Sequence, residues 1–179
     1  MKRLLIITLV FVLFFAGFQK TSAQDASSSG KIIQIQYELP YPGILPDNPL
    51  YFLKAIRDNV LGFFITDPLK KADYSLLMAD KRLQSAKALL DKGNNDLAIT
   101  TLSKSGNYFH QAIQNVANAK RRGEFADPLI DRLLVASMKH REIILQMEQK
   151  AKGQTKYNLE LLRERTEEFQ NSVSLIKAQ

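Results

Sequence analysis

Cysteine and tryptophan are both absent from the 179 residues of this chain. Without a thiol, the chain can form no disulfide, no thiolate metal site and no cysteine nucleophile. A lipid attached to an N-terminal cysteine, a common tether of exported bacterial proteins, is excluded as well. The folded domain must therefore be stabilised by the packing of its side chains alone.

Histidine is also scarce, because His110 and His140 are the only two. A catalytic serine needs an oriented histidine beside it, and the sequence has neither a Gly-x-Ser-x-Gly turn nor a glycine-rich phosphate loop. The Glu-x-x-His spacing of carboxylate metal sites in helical bundles is missing too. Four glutamates that could pair for glycoside chemistry resemble a solvated helix face instead: Glu160, Glu164, Glu167 and Glu168. We predict no catalytic residue, no metal-binding residue and no cofactor, and a protein that is not an enzyme.

The two histidines support one further hypothesis. They lie at equal distances from a turn near residue 125, so antiparallel packing of their helices would bring them to the same level. Two imidazoles in a half-buried layer could bind Zn²⁺ or destabilise the fold at acid pH. The alternative is two ordinary, hydrogen-bonded histidines, since two ligands without carboxylate support make a poor metal site.

Long apolar runs are missing except at the N-terminus. There Met1-Lys2-Arg3 precedes an uncharged apolar run from Leu4 to Phe18, and Thr21-Ser22-Ala23 supplies the small residues of a signal-peptidase site. The run is shorter than the roughly 20 residues of a membrane-spanning helix. We therefore predict that residues 1–23 are a signal peptide cleaved near Ala23, and an uncleaved N-terminal anchor is the alternative.

Basic residues outnumber acidic ones only mildly. The formal charge of +7 falls to +4 once Lys2, Arg3 and Lys20 leave with the signal peptide. Such an excess permits attraction to anionic lipid or wall polymer without requiring it. The basic cluster at residues 120–122 falls at a predicted helix end, where the helix dipole favours positive charge. Nucleic acid is not a predicted partner, because a broad basic face with stacking aromatic residues is missing.

The segment that follows the predicted signal is polar at first and then alternating. Residues 24–30 are small and polar, as in a flexible linker. Residues 31–38 alternate Ile33, Ile35 and Tyr37 with glutamine, which predicts an extended segment. Since no second strand is predicted, we expect this segment to lie along a groove between helices.

Proline is concentrated in one place, since four of the six prolines fall between positions 40 and 49. Proline fixes its own backbone angle and disfavours helix in the residue before it, so residues 39–46 should stay extended. Asp47 or Asn48 can then cap a short helix over residues 49–63.

The predicted helix over residues 49–63 is too apolar to stand free in water. Its polar strip contains only Lys54, Arg57 and Asp58. Because most wide apolar stripes in a domain of this size belong to the core, the favoured interpretation is that this helix folds over the remaining helices. The alternative is a membrane-surface or partner-docking helix, with Lys54 and Arg57 beside the apolar face.

Glycine marks the predicted ends of the long helices. Gly93, Gly123 and Gly153 lie thirty residues apart, and each follows a basic residue, which is a typical helix stop signal. The predicted N-caps are Asp67, Asn94 or Asn95, Asp127 and Thr155. The predicted helices cover residues 67–92, 95–122, 127–152 and 156–177.

Apolar residues recur every three or four positions along these four helices, which predicts coiled-coil-like packing with crossing angles of about 20°. Short loops make successive helices antiparallel neighbours. We predict an all-α fold: four long helices in an antiparallel up-and-down bundle, preceded by an extended segment and a short apolar helix. Residues 24–38 would be the linker and extended segment, and residues 39–179 a single domain. Within it, residues 39–66 are the proline-rich lead with the short helix, and residues 67–179 are the four-helix bundle.

The stretch YPGILPDNPLYFLK, residues 41–54, resembles the opening of a secreted bacterial domain family of unknown function. The residues that fit the family signature are Pro42, Gly43, Leu45, Pro46, Asp47, Pro49, Tyr51, Leu53 and Lys54. The resemblance continues to about residue 120 and leaves out the two C-terminal helices. It implies an exported helical domain of bacterial origin, and it brings no catalytic residue because the family has no assigned activity.

Together these patterns predict an exported, non-catalytic binding or scaffolding module of the bacterial cell envelope or exterior. The module would be secreted, periplasmic or bound at the cell surface. Its partner would be a protein or another envelope component, with peripheral membrane contact left open. The alternative is a membrane-surface protein, anchored by an uncleaved signal segment or by the apolar helix 49–63.

Overall fold

The structure, a computed structural model, describes residues 35–178. In this range it is all-helical, with five helices and no strand, and the predicted all-α class is therefore confirmed. The helices are α1 (Tyr51–Phe64), α2 (Pro68–Asp91), α3 (Asn95–Arg121), α4 (Asp127–Lys150) and α5 (Gly153–Ala178). None of them is long and apolar enough to cross a membrane. The predicted signal peptide, the linker and the start of the predicted extended segment lie outside the described residues.

The start of α2 follows the sequence prediction. Asp67 has an extended backbone, and its side chain accepts a hydrogen bond of 2.7 Å from the Lys70 backbone N–H. Pro68 occupies the first helical position, where its missing N–H leaves no hydrogen bond unmade. A capping carboxylate of this kind stabilises a helix by roughly 1 kcal/mol.

Glycine follows the ends of α2 and α3, as predicted. Gly93 and Gly123 have φ values of +79° and +77°, in the left-handed region that residues with a Cβ disfavour. After α2, the Asn94 backbone N–H donates to the Leu89 carbonyl at 2.9 Å. This bond satisfies a carbonyl of the last turn while the chain reverses direction.

Two other predicted N-caps are wrong, although the predicted start of α4 at residue 127 is confirmed. Helix α4 begins at Asp127, so this residue lies within the helix instead of capping it. Helix α5 begins at Gly153, before Thr155, the predicted cap. The early start of α5 follows from the backbone before it. Ala151 is extended and Gly153 has a φ of +55°, so the chain leaves α4 and enters α5 almost at once.

The long helices bury two apolar clusters. In the first cluster Phe109 is fully buried, and its ring stacks on that of Phe169 with the centroids 5.0 Å apart. The first cluster also contains Ala72, Leu76, Ala79, Ala112, Ile113, Val116, Ala126, Ile130, Leu133, Ala136 and Val173. The second contains Leu83, Ala86, Leu89, Leu90, Ala98, Leu102, Ile143, Ile144, Met147 and Leu159. Helices α2 and α3 form the most extensive pair, because alanines along α2 let its neighbour approach closely.

Polar contacts join the ends of helices that are not consecutive. Lys150 Nζ lies 2.5 Å from Asp91 Oδ1, which brings together the C-terminal ends of α4 and α2. Lys120 Nζ donates to the Ile176 carbonyl at 2.9 Å, which brings together the C-terminal ends of α3 and α5.

Residues 35–40 contact both α2 and α4. The Ile35 backbone N–H donates to Glu142 Oε2 at 2.8 Å, and the Tyr37 hydroxyl donates to Asp80 Oδ2 at 2.6 Å. Tyr37 also packs against the first cluster, and Leu39 packs against the second. Alternate residues of the segment 35–40 therefore face the helices.

Candidate docking surface

The short helix α1 approaches α2 through small and polar residues. Its inward residues, spaced three and four apart, are Tyr51, Lys54, Ala55, Asp58 and Gly62. A Cβ at Gly62 would lie 3.0 Å from the ring atom Cε1 of Tyr74 in α2. The absence of a side chain at this position therefore lets the two helices lie close together.

Asp58 is the only buried residue of α1 and is 5% exposed. Its Oδ1 lies 2.7 Å from Arg57 Nη2, and its carbonyl accepts a hydrogen bond of 2.6 Å from the Tyr74 hydroxyl. Burial, and then the charge of Asp58, raise the pKa of Tyr74 to about 12. Among the described residues, Asp58 Oδ2 has no hydrogen-bond partner. Burying an unpaired carboxylate oxygen costs free energy. The orientation of α1 therefore buries a polar group and leaves its apolar side chains outside.

The opposite side of α1 is apolar and faces solvent. We call it the outer face, and its residues are Phe52, Leu53, Ile56, Val60, Phe63 and Phe64. These six side chains are between 49% and 79% exposed. At 3.6 residues per turn they cover a continuous sector of about 120°. Fully burying one side chain of this size contributes about 1.5–3 kcal/mol. A molecule that covered the whole outer face would therefore gain a large favourable free energy of binding.

The favoured prediction for this helix, that its apolar stripe is core, is therefore wrong. Where α1 passes Tyr74 there is room for Gly62 but not for a phenylalanine side chain. The predicted start is also wrong by two residues. Asn48 Oδ1 accepts a hydrogen bond of 2.9 Å from the Leu50 N–H, which holds a turn that ends before Tyr51.

Lys54 holds the turn that precedes α1. Its Nζ donates to the carbonyls of Pro42 and Ile44, the second at 3.2 Å. Gly43, which lies between them, has a φ of +70° and so allows both carbonyls to point at one ammonium group. Burial lowers the pKa of Lys54. This lysine is therefore a structural cation of the turn.

The other signature residues extend the same attachment. Asp47 Oδ2 lies 2.8 Å from Lys92 Nζ, just after the end of α2. The Tyr51 ring lies 5.4 Å from the guanidinium carbon of Arg82 in α2, and Leu53 belongs to the outer face. The signature residues that complete the turn are Leu45, Pro46 and Pro49. These contacts of the signature residues attach α1 to the domain.

A groove of about 430 Å³ lies between this turn and α1. Most of its walls are apolar, and they are formed by Tyr41, Pro42, Gly43, Ile44, Leu50 and Leu53. Three basic side chains, Lys54, Arg57 and Lys81, complete the lining, and none of the described lining residues is acidic. The groove adjoins the outer face through Leu53, so the two form one continuous surface.

A profile of the family described as Domain of unknown function (DUF5667) matches residues 43–154. The match covers more than half of the chain. The chain belongs to this family. No curated protein and no solved structure gives a significant match to it.

The DUF5667 match is longer than the resemblance seen in the sequence. It begins at Gly43, in the turn before α1, and continues through α4 to the start of α5. The expectation that the family stops near residue 120 and excludes both C-terminal helices is therefore wrong for α4. The match includes α1 entirely, so the outer face lies within the family domain.

The histidines of this DUF5667 domain do not form the half-buried pair that was hypothesised. His140 is buried; its Nε2 lies 2.8 Å from Asp80 Oδ1, and its ring meets the edge of the Phe109 ring with centroids 4.9 Å apart. His110 is exposed. Within residues 35–178, no group of three or more histidine, aspartate or glutamate side chains could hold a metal ion.

The sequence did not reveal the polar network around Asp80. This buried carboxylate accepts one hydrogen bond from Tyr37, in the segment 35–40, and contacts His140 in α4. Burial raises the pKa of Tyr37, and the charge of Asp80 raises it further. The one signal was an aspartate directly after Ala79, next to the apolar row of α2.

Proposed function

We propose that this DUF5667 protein is an exported, non-catalytic binding module of the bacterial cell envelope or exterior, and that it binds through the outer face of α1. The observation that carries the proposal is the exposure of six large apolar side chains on one face of one helix. Large exposed apolar patches are typical of interaction sites. The favourable free energy of burying this face is gained only when another molecule covers it.

We also propose that α2 to α5 form a four-helix bundle that carries α1, with consecutive helices antiparallel and with the alternate helices, α2 and α4 as well as α3 and α5, in contact. The contacts of Lys150 with Asp91, and of Lys120 with the Ile176 carbonyl, support this arrangement. They join the C-terminal ends of alternate helices, as expected when alternate helices run in the same direction. Such a bundle would give α1 a rigid base.

The exported location in this proposal rests on residues 1–23, whose basic start, apolar run and small residues are those of a secretory signal. The non-catalytic role rests on the motifs that the sequence lacks, including any nucleophile elbow or phosphate loop. Retention of the signal as an anchor would place the domain at a membrane and leave the role of the outer face unchanged.

Site-specific photo-cross-linking in living cells tests the proposal. The full-length chain would be expressed in a bacterial host with photoreactive benzoylphenylalanine in place of Phe63, which is 79% exposed on α1. The matched control carries it in place of Tyr157, which is 55% exposed on α5. We expect an adduct with protein or lipid from position 63, detected by gel mobility and by intact mass, and none from position 157. Equal or absent adducts at the two positions would contradict the proposal.

A further inference from the structure

We propose that the partner of the outer face is the surface of a membrane containing anionic lipid. This inference rests on the proposed function, because it names what the same face of α1 binds. Three features of the described residues support a lipid surface over other partners: the charges beside the face, the pattern of the helix, and the groove at its edge.

The accessible charge beside the outer face is basic. Of the three charged residues of α1, Asp58 is buried and turned inward, whereas the Arg57 side chain is 63% exposed. Lys81 of α2 lines the adjoining groove. The two acidic residues that flank α1 in sequence already have partners. Asp47 forms an ion pair with Lys92, just after α2, and Asp67 caps α2. A negatively charged surface is therefore attracted to this side of the domain.

The pattern of α1 is that of a helix that lies in a membrane interface. Such helices place phenylalanine and leucine on one face and basic residues beside it, and their apolar face enters the boundary between headgroups and acyl chains. The outer face has three phenylalanines, Phe52, Phe63 and Phe64, and no charged residue. Because the inward side of α1 is covered by α2, only the outer face is free to enter the lipid.

The groove fits the chemistry of one anionic lipid molecule. Its walls are apolar and would accept part of an acyl chain, while basic groups at its edge would face a phosphate. The Lys54 ammonium already bonds the carbonyls of Pro42 and Ile44. Arg57 bonds Asp58 Oδ1 through Nε and Nη2, so its other terminal nitrogen and the Lys81 ammonium remain to contact a negatively charged headgroup.

A second copy of the chain suits this surface less well. Symmetric pairing of two outer faces would place the same basic edge, with Arg57 and Lys81, on both sides of the interface. Like charges brought together in this way oppose association. An anionic bilayer supplies the opposite charge together with an apolar layer, and so satisfies both parts of the surface.

The absence of native cysteine makes a direct test simple, because one introduced cysteine is a unique labelling site. The full-length chain with Phe63→Cys would carry the polarity-sensitive dye bimane and be mixed with vesicles of phosphatidylcholine, with or without phosphatidylglycerol. Leu175→Cys, at a position on α5 that is 66% exposed, is the matched control. The label reports the environment of α1 itself, whether or not residues 4–18 also hold the chain on the vesicle.

We expect the emission of bimane at position 63 to shift to the blue, and iodide to quench it less, when phosphatidylglycerol is present. The shift should be smaller with phosphatidylcholine alone and absent at position 175. Equal behaviour of the two positions, or an equal shift in neutral vesicles, would overturn the lipid assignment. If position 63 shows no shift but still gives a protein adduct in cells, the lipid assignment fails and the proposed function survives. If it gives neither, both fail.

Discussion

At the scale of single residues, Asp80 joins three segments of the chain. It accepts a hydrogen bond of 2.6 Å from the Tyr37 hydroxyl and lies 2.8 Å from His140 Nε2. Because Asp80 and His140 are almost completely buried, each depends on the other groups of the network for its hydrogen bonds. The network fixes the segment 35–40 against α2 and α4, next to the fully buried Phe109.

Tyr37→Phe should lower the free energy of unfolding by about 1–3 kcal/mol, because it removes a donor from a buried carboxylate and leaves that oxygen unpaired. Tyr41→Phe is the matched control, since Tyr41 is 83% exposed. Urea unfolding at neutral pH measures both variants. Equal stabilities for the two would contradict the described network.

The ion pairs of Asp91 make the free energy of unfolding depend on pH in the acid range. Its pKa lies below its usual value of 3.8, chiefly because Lys150 donates a hydrogen bond to it, with Lys87 adding to the effect. A carboxyl whose pKa is lowered by folding stabilises the folded state above its unfolded pKa, and this contribution is lost as the pH falls through the folded pKa.

Asp91→Asn should therefore destabilise the protein at pH 7 and lose this effect in acid below the usual pKa of 3.8. The cost at pH 7 should be under about 1 kcal/mol, because the ion pairs are partly solvated. Urea midpoints across the acid range measure it, with Glu164→Gln, at an exposed position of α5, as the control. Parallel pH profiles for Asp91→Asn and the wild type would show that the contact with Lys150 contributes nothing.

At the scale of helices, the sequence predicted the ends of α2 and the end of α3 well, because Asp67-Pro68, Gly93 and Gly123 have direct backbone consequences. It did not predict the orientation of α1. Hydrophobic periodicity shows which face of a helix is apolar, but not whether a neighbouring helix is there to cover that face. That depends on the contact of Gly62 with Tyr74, which joins two helices and has no signature within either one.

Substitutions on the outer face should leave the fold intact. We expect Phe63→Ser to change the free energy of unfolding by less than about 0.5 kcal/mol, as for most exposed positions. Phe109→Ala, in the first cluster, should cost about 3–5 kcal/mol because it opens a cavity in the core. Urea unfolding of the two variants side by side distinguishes the exposed from the buried phenylalanine. A loss of several kcal/mol in Phe63→Ser would show that α1 packs its apolar face inward.

At the scale of the whole molecule, stability without any disulfide depends on close contact between the long helices. Alanines on α2 allow α3 to approach, and Ala79 is completely buried among them. The Ser105 hydroxyl of α3 donates to the Ala79 carbonyl at 2.7 Å, which shows how near the two helices lie. Such packing leaves no space for a larger side chain.

Ala79→Leu should therefore destabilise the protein by about 1–3 kcal/mol through overpacking. Gln114→Leu, at an exposed position of α3, adds a leucine without entering the core and should be nearly neutral. Thermal unfolding followed by circular dichroism compares them. Equal melting temperatures for the two variants would mean that α2 and α3 are not packed closely at Ala79.

The central claim is that the outer face of α1 is exposed in the isolated protein and covered in the cell. The most direct test is the rate at which a water-soluble maleimide labels Phe63→Cys, first in the purified full-length protein and then in intact cells that express it. Tyr157→Cys serves as the reference in both settings. We predict that both positions label rapidly in the purified protein and that only position 63 becomes protected in cells. Equal labelling of the two positions in cells would contradict the account.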